Sequence, residues 1–188
     1  MPRFPLIAGL LAAALGMACP SLAEEHPSPA DPEVTGALGR GLPLADIQRE
    51  NAAALMQEWA EDLAYAYLDA WSSENRVALR GLSGLYAPEV RFFGRPADRA
   101  KVEREKRLFA SRWPIRRYEH RPGTMAIDCD VEARICHVRS IVDWRVRSPA
   151  RHARAQGAAT FELGVTFAGD QPAVAYEGGR VVRVGAAN

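Results

Sequence analysis

Between residues 44 and 188 there is no Gly-rich phosphate loop, no Ser-His-Asp set, and no His/Cys grouping at metal-ligand spacing. Those absences remove the nucleotide-binding, serine-hydrolase and zinc motifs that a sequence can announce by itself, so no cofactor and no metal is expected. Lysine is scarce: of 24 basic residues only Lys101 and Lys106 are lysines. That balance is the mark of a GC-rich bacterial genome rather than a binding adaptation, so arginine abundance by itself carries no functional reading. Charge of one sign is also lacking, at +1 for the whole chain, and no bulk field recruits nucleic acid. The apolar run from Phe4 to Ala18 is shorter than the roughly 20 residues of a comfortable membrane span.

What that run does resemble is a secretory signal peptide. Met1-Pro2-Arg3 precedes it, and the small residues Ser21 and Ala23 stand before Glu24-Glu25 where a signal peptidase cuts. Cleavage is expected after Ala23, giving a periplasmic or secreted chain with 23 basic and 23 acidic residues, because only Arg3 among charged groups is lost. A lipoprotein anchored through Cys19 is the competing reading; Gly16 stands where a lipobox has Leu, and Pro20 follows the cysteine. Residues 24 to 43, rich in Pro and Gly with few large apolar side chains, read as a flexible tether. The remaining stretch, 44 to 188, is long enough to bury one ordinary core.

Along that domain the periodicity changes once. Leu44, Ile47, Ala52, Leu55, Met56, Trp59, Leu63, Ala66, Tyr67 and Ala70 fall in one stripe at helical spacing, which predicts a long helix to Trp71. A shorter helix from Glu74 to Tyr86, stopped by Pro88, a brief strand from Val90 to Phe93, and a charged helix from Asp98 to Trp113 follow. Everything after Pro114 reads as strands, near 115–121, 123–129, 134–147, 156–168 and 172–184. The expected class is α+β, three N-terminal helices packed on one face of an antiparallel sheet.

Alternation assigns the faces. Cys136, Val138, Ser140, Val142, Trp144 and Val146 share one side of their strand, opposite His137, Arg139, Ile141, Asp143, Arg145 and Arg147. In the next strand Ala159, Phe161, Leu163, Val165 and Phe167 form the apolar side. Within DCDVEARICH, pairing Cys129 with Cys136 across a turn at Glu132-Ala133 places Met125 and Ile127 beside Ser140 and Val138 on the apolar face. Register, hydrophobicity and an oxidising destination agree on a cross-strand disulfide. A zinc site would need further ligands, and a redox pair would normally be Cys-x-x-Cys.

This order of elements resembles the NTF2-like superfamily, especially its SnoaL-like members, over about 44 to 184. Tyr67-Leu68-Asp69-Ala70-Trp71 at the end of the first helix and Leu85-Tyr86-Ala87-Pro88-Glu89-Val90-Arg91-Phe92-Phe93-Gly94 carry the likeness. The resemblance implies a cone, in which a curved antiparallel sheet wraps a cavity. It also implies a superfamily of isomerases, dehydratases and cyclases alongside noncatalytic binding modules, so the fold does not choose among them. In the ketosteroid-isomerase branch an Asp base follows the short strand; here Arg91-Phe92-Phe93-Gly94-Arg95 offers no carboxylate. Asp143 and Glu162, where a later-strand acid is sought, fall on the outer face.

Two functions remain. The first is a noncatalytic periplasmic module that binds a small apolar ligand lined by Tyr65, Tyr67, Trp71, Phe93, Trp113, Ser140, Trp144 and Tyr176, or that binds a protein partner or itself as a homodimer through the outer sheet face. The second is an isomerase, dehydratase or cyclase with His120 as base and Tyr65, Tyr67 or Tyr176 as donor. Arg116, Tyr118 and His120 share one side of their strand, but the other side is no more apolar, so the pattern leaves that strand unoriented. Glu58, Asp62, Tyr65 and Asp69 flank the helical stripe, either at a pocket mouth or as a solvated edge.

Overall fold

The computed structural model describes residues 44–182, with side chains from Asp46 onward; the expected signal peptide and tether lie outside that range. Helix α1 spans Leu44–Ser72 and α2 spans Asn75–Ser83. Strands β1 (Tyr86–Phe92) and β2 (Arg95–Asp98) form a hairpin, and α3 (Arg99–Arg112) follows directly. Then come β3 (Ile115–His120), β4 (Ala126–Asp130), β5 (Ile135–Ser148), β6 (Ala153–Thr166), β7 (Ala173–Gly178) and β8 (Val181–Val182).

Local chemistry explains most boundaries. Asp98 accepts a hydrogen bond from the Lys101 backbone N–H at 2.7 Å and so caps α3, which Pro114 terminates. The hairpin between β1 and β2 turns at Phe93 and Gly94, both at positive φ (47° and 79°), the pairing demanded by a two-residue turn that follows strand twist. Gly179, at φ 142°, ends β7 where a single strand to residue 184 was expected, and a Cβ there would strike the Thr160 carbonyl. The helix expected up to Tyr86 stops at Ser83, and Tyr86 and Pro88 instead belong to β1. Pro88 is tolerated within this short strand, whose neighbour β7 pairs irregularly with it.

The two 14-residue strands β5 and β6 form the spine. Along the free edge of β5, β3 pairs with residues 142–147 and β4 with 135–139; along the far edge of β6 lie β7 and β8. The sheet order is β2-β1-β7-β6-β5-β3. Every pair is antiparallel except β1 with β7, which runs parallel and makes the sheet mixed rather than purely antiparallel. The cause is topological: β1 precedes α3, and that crossover returns the chain to the opposite side of the sheet before the meander begins.

The helices cover one face. Cys136, Val138, Ser140, Val142 and Val146 of β5 and Phe161, Leu163 and Val165 of β6 are buried on it, as alternation requires. The buried stripe of α1 is Met56, Ala60, Leu63, Ala64, Tyr67, Leu68 and Trp71. It is rotated from the expected stripe, since Leu55 and Trp59 lie at the exposed margin and Trp59 stacks on Phe167 there. Cys129 and Cys136 are paired residues of the β4–β5 hairpin and form a disulfide, with Ile127 opposite Val138 as the register argument demanded.

Candidate functional site

Among the described residues the interior holds one ion pair. Lys106 occupies the middle of the buried α3 stripe Val102, Lys106 and Ala110, spaced four residues apart, so the helix drives a lysine into an apolar position. Its partner is Glu177 on β7, with Lys106 Nζ 2.6 Å from Oε1. Lys106 also donates to the Tyr67 hydroxyl at 2.5 Å, and the Tyr86 hydroxyl donates to Glu177 Oε2 at 2.5 Å. The rings of Tyr67, Trp71 and Phe92 surround the ammonium at 5.2, 5.0 and 5.5 Å, close enough for cation–π attraction. The carboxylate therefore has both oxygens engaged, and the ammonium spends its donors on a carboxylate, a phenol and aromatic faces. Burial, followed by the Glu177 charge, raises the Tyr67 phenol well above its ordinary range; burial, then Tyr67 and Glu177, does the same to Tyr86. Both hydroxyls stay protonated, Tyr86 donating to Glu177 and Tyr67 accepting from Lys106.

A bulge delivers Glu177 to this place. On β7, Val174 faces Val165 and Glu177 faces Leu163, both inward, because the register with β6 slips by one residue near Ala175. Without that slip strict alternation would turn Tyr176 inward and Glu177 outward. Tyr176 therefore lies on the outer face over Gly164 and Gly178, where a Cβ would collide with it, and donates to Glu162 at 3.0 Å. This corrects the placement of Tyr176 among the cone-lining groups. The parallel pairing sets Phe92 beside Glu177, so a carboxylate reaches the end of the short strand from β7 instead.

A second polar group lies across Phe161. His120 Nδ1 is 2.8 Å from Ser140 Oγ, and Nε2 is 3.3 Å from the Ala64 carbonyl. A carbonyl can only accept, so Nε2 carries the proton and Nδ1 accepts from Ser140. The rings of Tyr65 and Phe161 meet the imidazole edge-on at 5.0 and 5.1 Å. Burial lowers the His120 pKa, more than the Ala64 contact, Asp69 and Glu61 raise it. The side of β3 carrying Arg116, Tyr118 and His120 is thus the inner one. Arg116, 4% exposed, donates to the carbonyls of Trp71, Ser73 and Trp113 and stacks on Trp71 at 4.6 Å, closing the C-terminal ends of α1 and α3.

The eight expected lining residues do not converge. Tyr67 and Trp71 belong to the ion-pair cage, and Ser140 and Tyr65 belong to the His120 group. Phe93 is 54% exposed on its turn, Trp113 lies under the Arg151 guanidinium at 4.9 Å, and Trp144 packs over Gly157. No tyrosine hydroxyl is among the partners of His120 within the described residues. Glu58, Asp62, Tyr65 and Asp69 are all exposed. Asp143 pairs on the outer face with Arg121 at 2.7 Å, and that contact lowers its pKa. Two concavities lie elsewhere: about 250 Å³ lined by Gln57, Glu61, Met125 and Ile127, and about 560 Å³ over the β1–β2 hairpin lined by Glu89, Val90, Arg91, Pro96, Ala97 and Asp98.

Lys106 and Glu177 are the interior charged residues that the sequence did not single out. The available signal was spacing: Lys106 lies four residues from Val102 and from Ala110.

No family model matches the chain, and no curated protein matches it significantly. Solved structures do. A candidate scytalone dehydratase from Novosphingobium aromaticivorans has a TM-score of 0.60 at 13% identity, covering 71% of this chain and 89% of that one. A candidate dehydratase of the NTF2-like family from Streptomyces avermitilis has a TM-score of 0.57 at 13% identity, covering 67% and 96%. A protein with a cystatin-like fold from Caulobacter vibrioides has a TM-score of 0.55 at 12% identity, covering 68% and 89%. At these identities the likeness is one of fold. The chain has the NTF2-like fold, the cone-shaped scaffold shared with those proteins.

Proposed function

We propose that the chain is a noncatalytic NTF2-like binding module, exported to an oxidising compartment, that works through its exterior rather than through the interior of its cone. The observation that carries this reading is the saturation of the interior ion pair. Lys106 and Glu177 side chains are 10% and 6% exposed, and each charged atom already has a protein partner. A catalytic acid or base needs reach to a substrate proton, which groups held this way lack. An apolar ligand inside the cone likewise finds its polar anchors already consumed. The Cys129–Cys136 disulfide supports export, since such bonds persist in oxidising compartments. The signal-like N-terminus supports it too.

Self-association through the outer sheet face draws support from the cross-strand pair Arg139 and Glu162, which a two-fold axis would set against Glu162 and Arg139 of a second copy. The enzyme reading keeps one supporting observation, the inward His120 bonded to Ser140.

Native mass spectrometry of the protein recovered from a bacterial periplasm tests the proposal. The expected species is a dimer of chains starting at Glu24, each two hydrogens lighter than its reduced mass, with no retained small molecule. A stoichiometric adduct lost in Trp71→Phe would show that the interior opens to ligands and would overturn the exterior reading. Unprocessed chain with free thiols would overturn export.

A further inference from the structure

The outer sheet face is not uniformly charged. From Trp144 to Phe161 the sequence contains no acidic residue but holds Arg145, Arg147, His152 and Arg154, together with Arg151, which is occupied by Trp113 and the Arg112 carbonyl. The register brings three of these arginines together with one from β3. Arg117 lies opposite Arg145, and Arg147 lies opposite Arg154, on two consecutive outward rungs shared by β3, β5 and β6. Like charges placed directly opposite across strands are destabilising, and here the arrangement occurs twice side by side.

Neighbouring carboxylates cancel it only in part, since Glu119 pairs with Arg117 at 2.7 Å while Arg145, Arg147 and Arg154 stay without a carboxylate partner among the described residues. The next outward rung carries Glu119 and Asp143, and these are engaged by Arg117 and Arg121, respectively. Ile115 and Gln156, which complete the two basic rungs, are uncharged, and His152 at the hairpin tip adds no negative charge. Among the described residues Arg145, Arg147 and Arg154 have no hydrogen-bond or ion-pair partner from the protein, and all three are exposed. The chain as a whole carries only +1, so this concentration is a matter of placement rather than of total charge.

We propose that the corner formed by Arg117, Arg145, Arg147 and Arg154 binds a compact, multiply charged oxyanion of diphosphate size. Paired strands stand about 5 Å apart and successive outward residues about 6.5 to 7 Å apart, so the unpaired guanidinium groups of Arg145, Arg147 and Arg154, bordered by the Glu119-paired Arg117, surround a volume that one or two phosphoryl groups fill. Guanidinium groups offer paired donors that match phosphoryl oxygens, which makes them suited to such a ligand. The Glu119–Asp143 rung bounds the patch on one side, and an extended polyanion crossing it would meet carboxylates. Occupation of the corner would relieve the Arg147–Arg154 like-charge pair, which has no carboxylate beside it.

The probe is inorganic pyrophosphate, titrated calorimetrically into the full mature chain at constant ionic strength. Saturable binding with one equivalent per chain is expected, together with a raised thermal midpoint. Arg145→Gln/Arg154→Gln is expected to weaken binding by about tenfold or more, while Arg134→Gln, at the exposed turn between β4 and β5 and outside the corner, leaves it unchanged. Absence of saturable binding overturns the proposal. Equal weakening by Arg134→Gln also overturns it, because the interaction would then be general charge attraction. So does binding to phosphatidylglycerol vesicles without binding to pyrophosphate, which would assign the face to a membrane surface.

Discussion

The interior lysine is the residue whose replacement tells most. Removing one member of a buried ion pair strands the other, which typically costs about 3 to 5 kcal/mol, whereas replacing both with apolar side chains is often close to neutral. Lys106→Met is therefore expected to destabilise the fold by roughly that amount in urea unfolding, and Lys106→Met/Glu177→Leu to recover most of it. Recovery follows because the Tyr86 hydroxyl, deprived of Glu177, still has the Tyr67 oxygen 3.4 Å away. Additive losses would mean that the two side chains do not act as a pair.

His120 sets a pH dependence of defined sign. Its pKa is lowered in the fold by burial, so the unfolded chain binds the proton more readily. Its contribution to stability is complete above the ordinary imidazole pKa of about 6.5 and is lost as pH falls through the lower folded value. Unfolding free energy measured from about pH 7.5 down to 5 should fall for wild type, and His120→Gln should flatten that slope.

For the elements, the β4–β5 hairpin and the bulge in β7 matter most. The disulfide closes a short loop, with its cysteines seven positions apart. The loop-entropy model gives roughly 2 to 3 kcal/mol for a loop this small. Cys129→Ala/Cys136→Ala is expected to lose that much in chemical denaturation while keeping the same register, because Ile127 opposite Val138 holds the hairpin apart from the sulfur bond. Between β5 and β6 the tight position is Gly157, where a Cβ would lie 2.8 Å from the Trp144 ring. Gly157→Val should cost about 1 to 3 kcal/mol by overpacking. Trp144→Leu in the same chain should offset part of that loss, an energetic coupling readable in a double-mutant cycle.

Seen as a whole molecule, the fold is a scaffold with its chemistry turned inward and neutralised, while its outer face carries segregated charge. Arg139 with Glu162 offers a self-complementary pair near the centre of the sheet, and the arginine corner lies at the β5–β6 hairpin end of the same face. Dimerisation through the centre would leave that corner free. Dilution in sedimentation velocity should reveal a reversible dimer, and Glu162→Arg, which sets like charges against each other across the two-fold axis, should shift it to monomer. An unchanged monomer in both chains would remove the dimer.

The sequence by itself determined whatever depends on near neighbours. The 3.6-residue stripes gave three helices, alternation oriented β5 and β6, and one register placed two cysteines and two apolar residues consistently, so the hairpin and its disulfide were legible. Lys106 was hidden because nothing local marks a lysine as buried. Its anion lies 71 residues away, and on a strand whose inward set shifts at a one-residue bulge that alternation cannot anticipate. Tyr176 was misplaced for the same reason. β3 was left unoriented because its inner face is Arg116, Tyr118 and His120; Arg116 is satisfied by carbonyls at the helix ends and by Asn75, and His120 by Ser140 and a backbone carbonyl, all contributed from elsewhere in the chain. Burial of charge is affordable only in the presence of a partner, and which partner arrives is decided by tertiary structure.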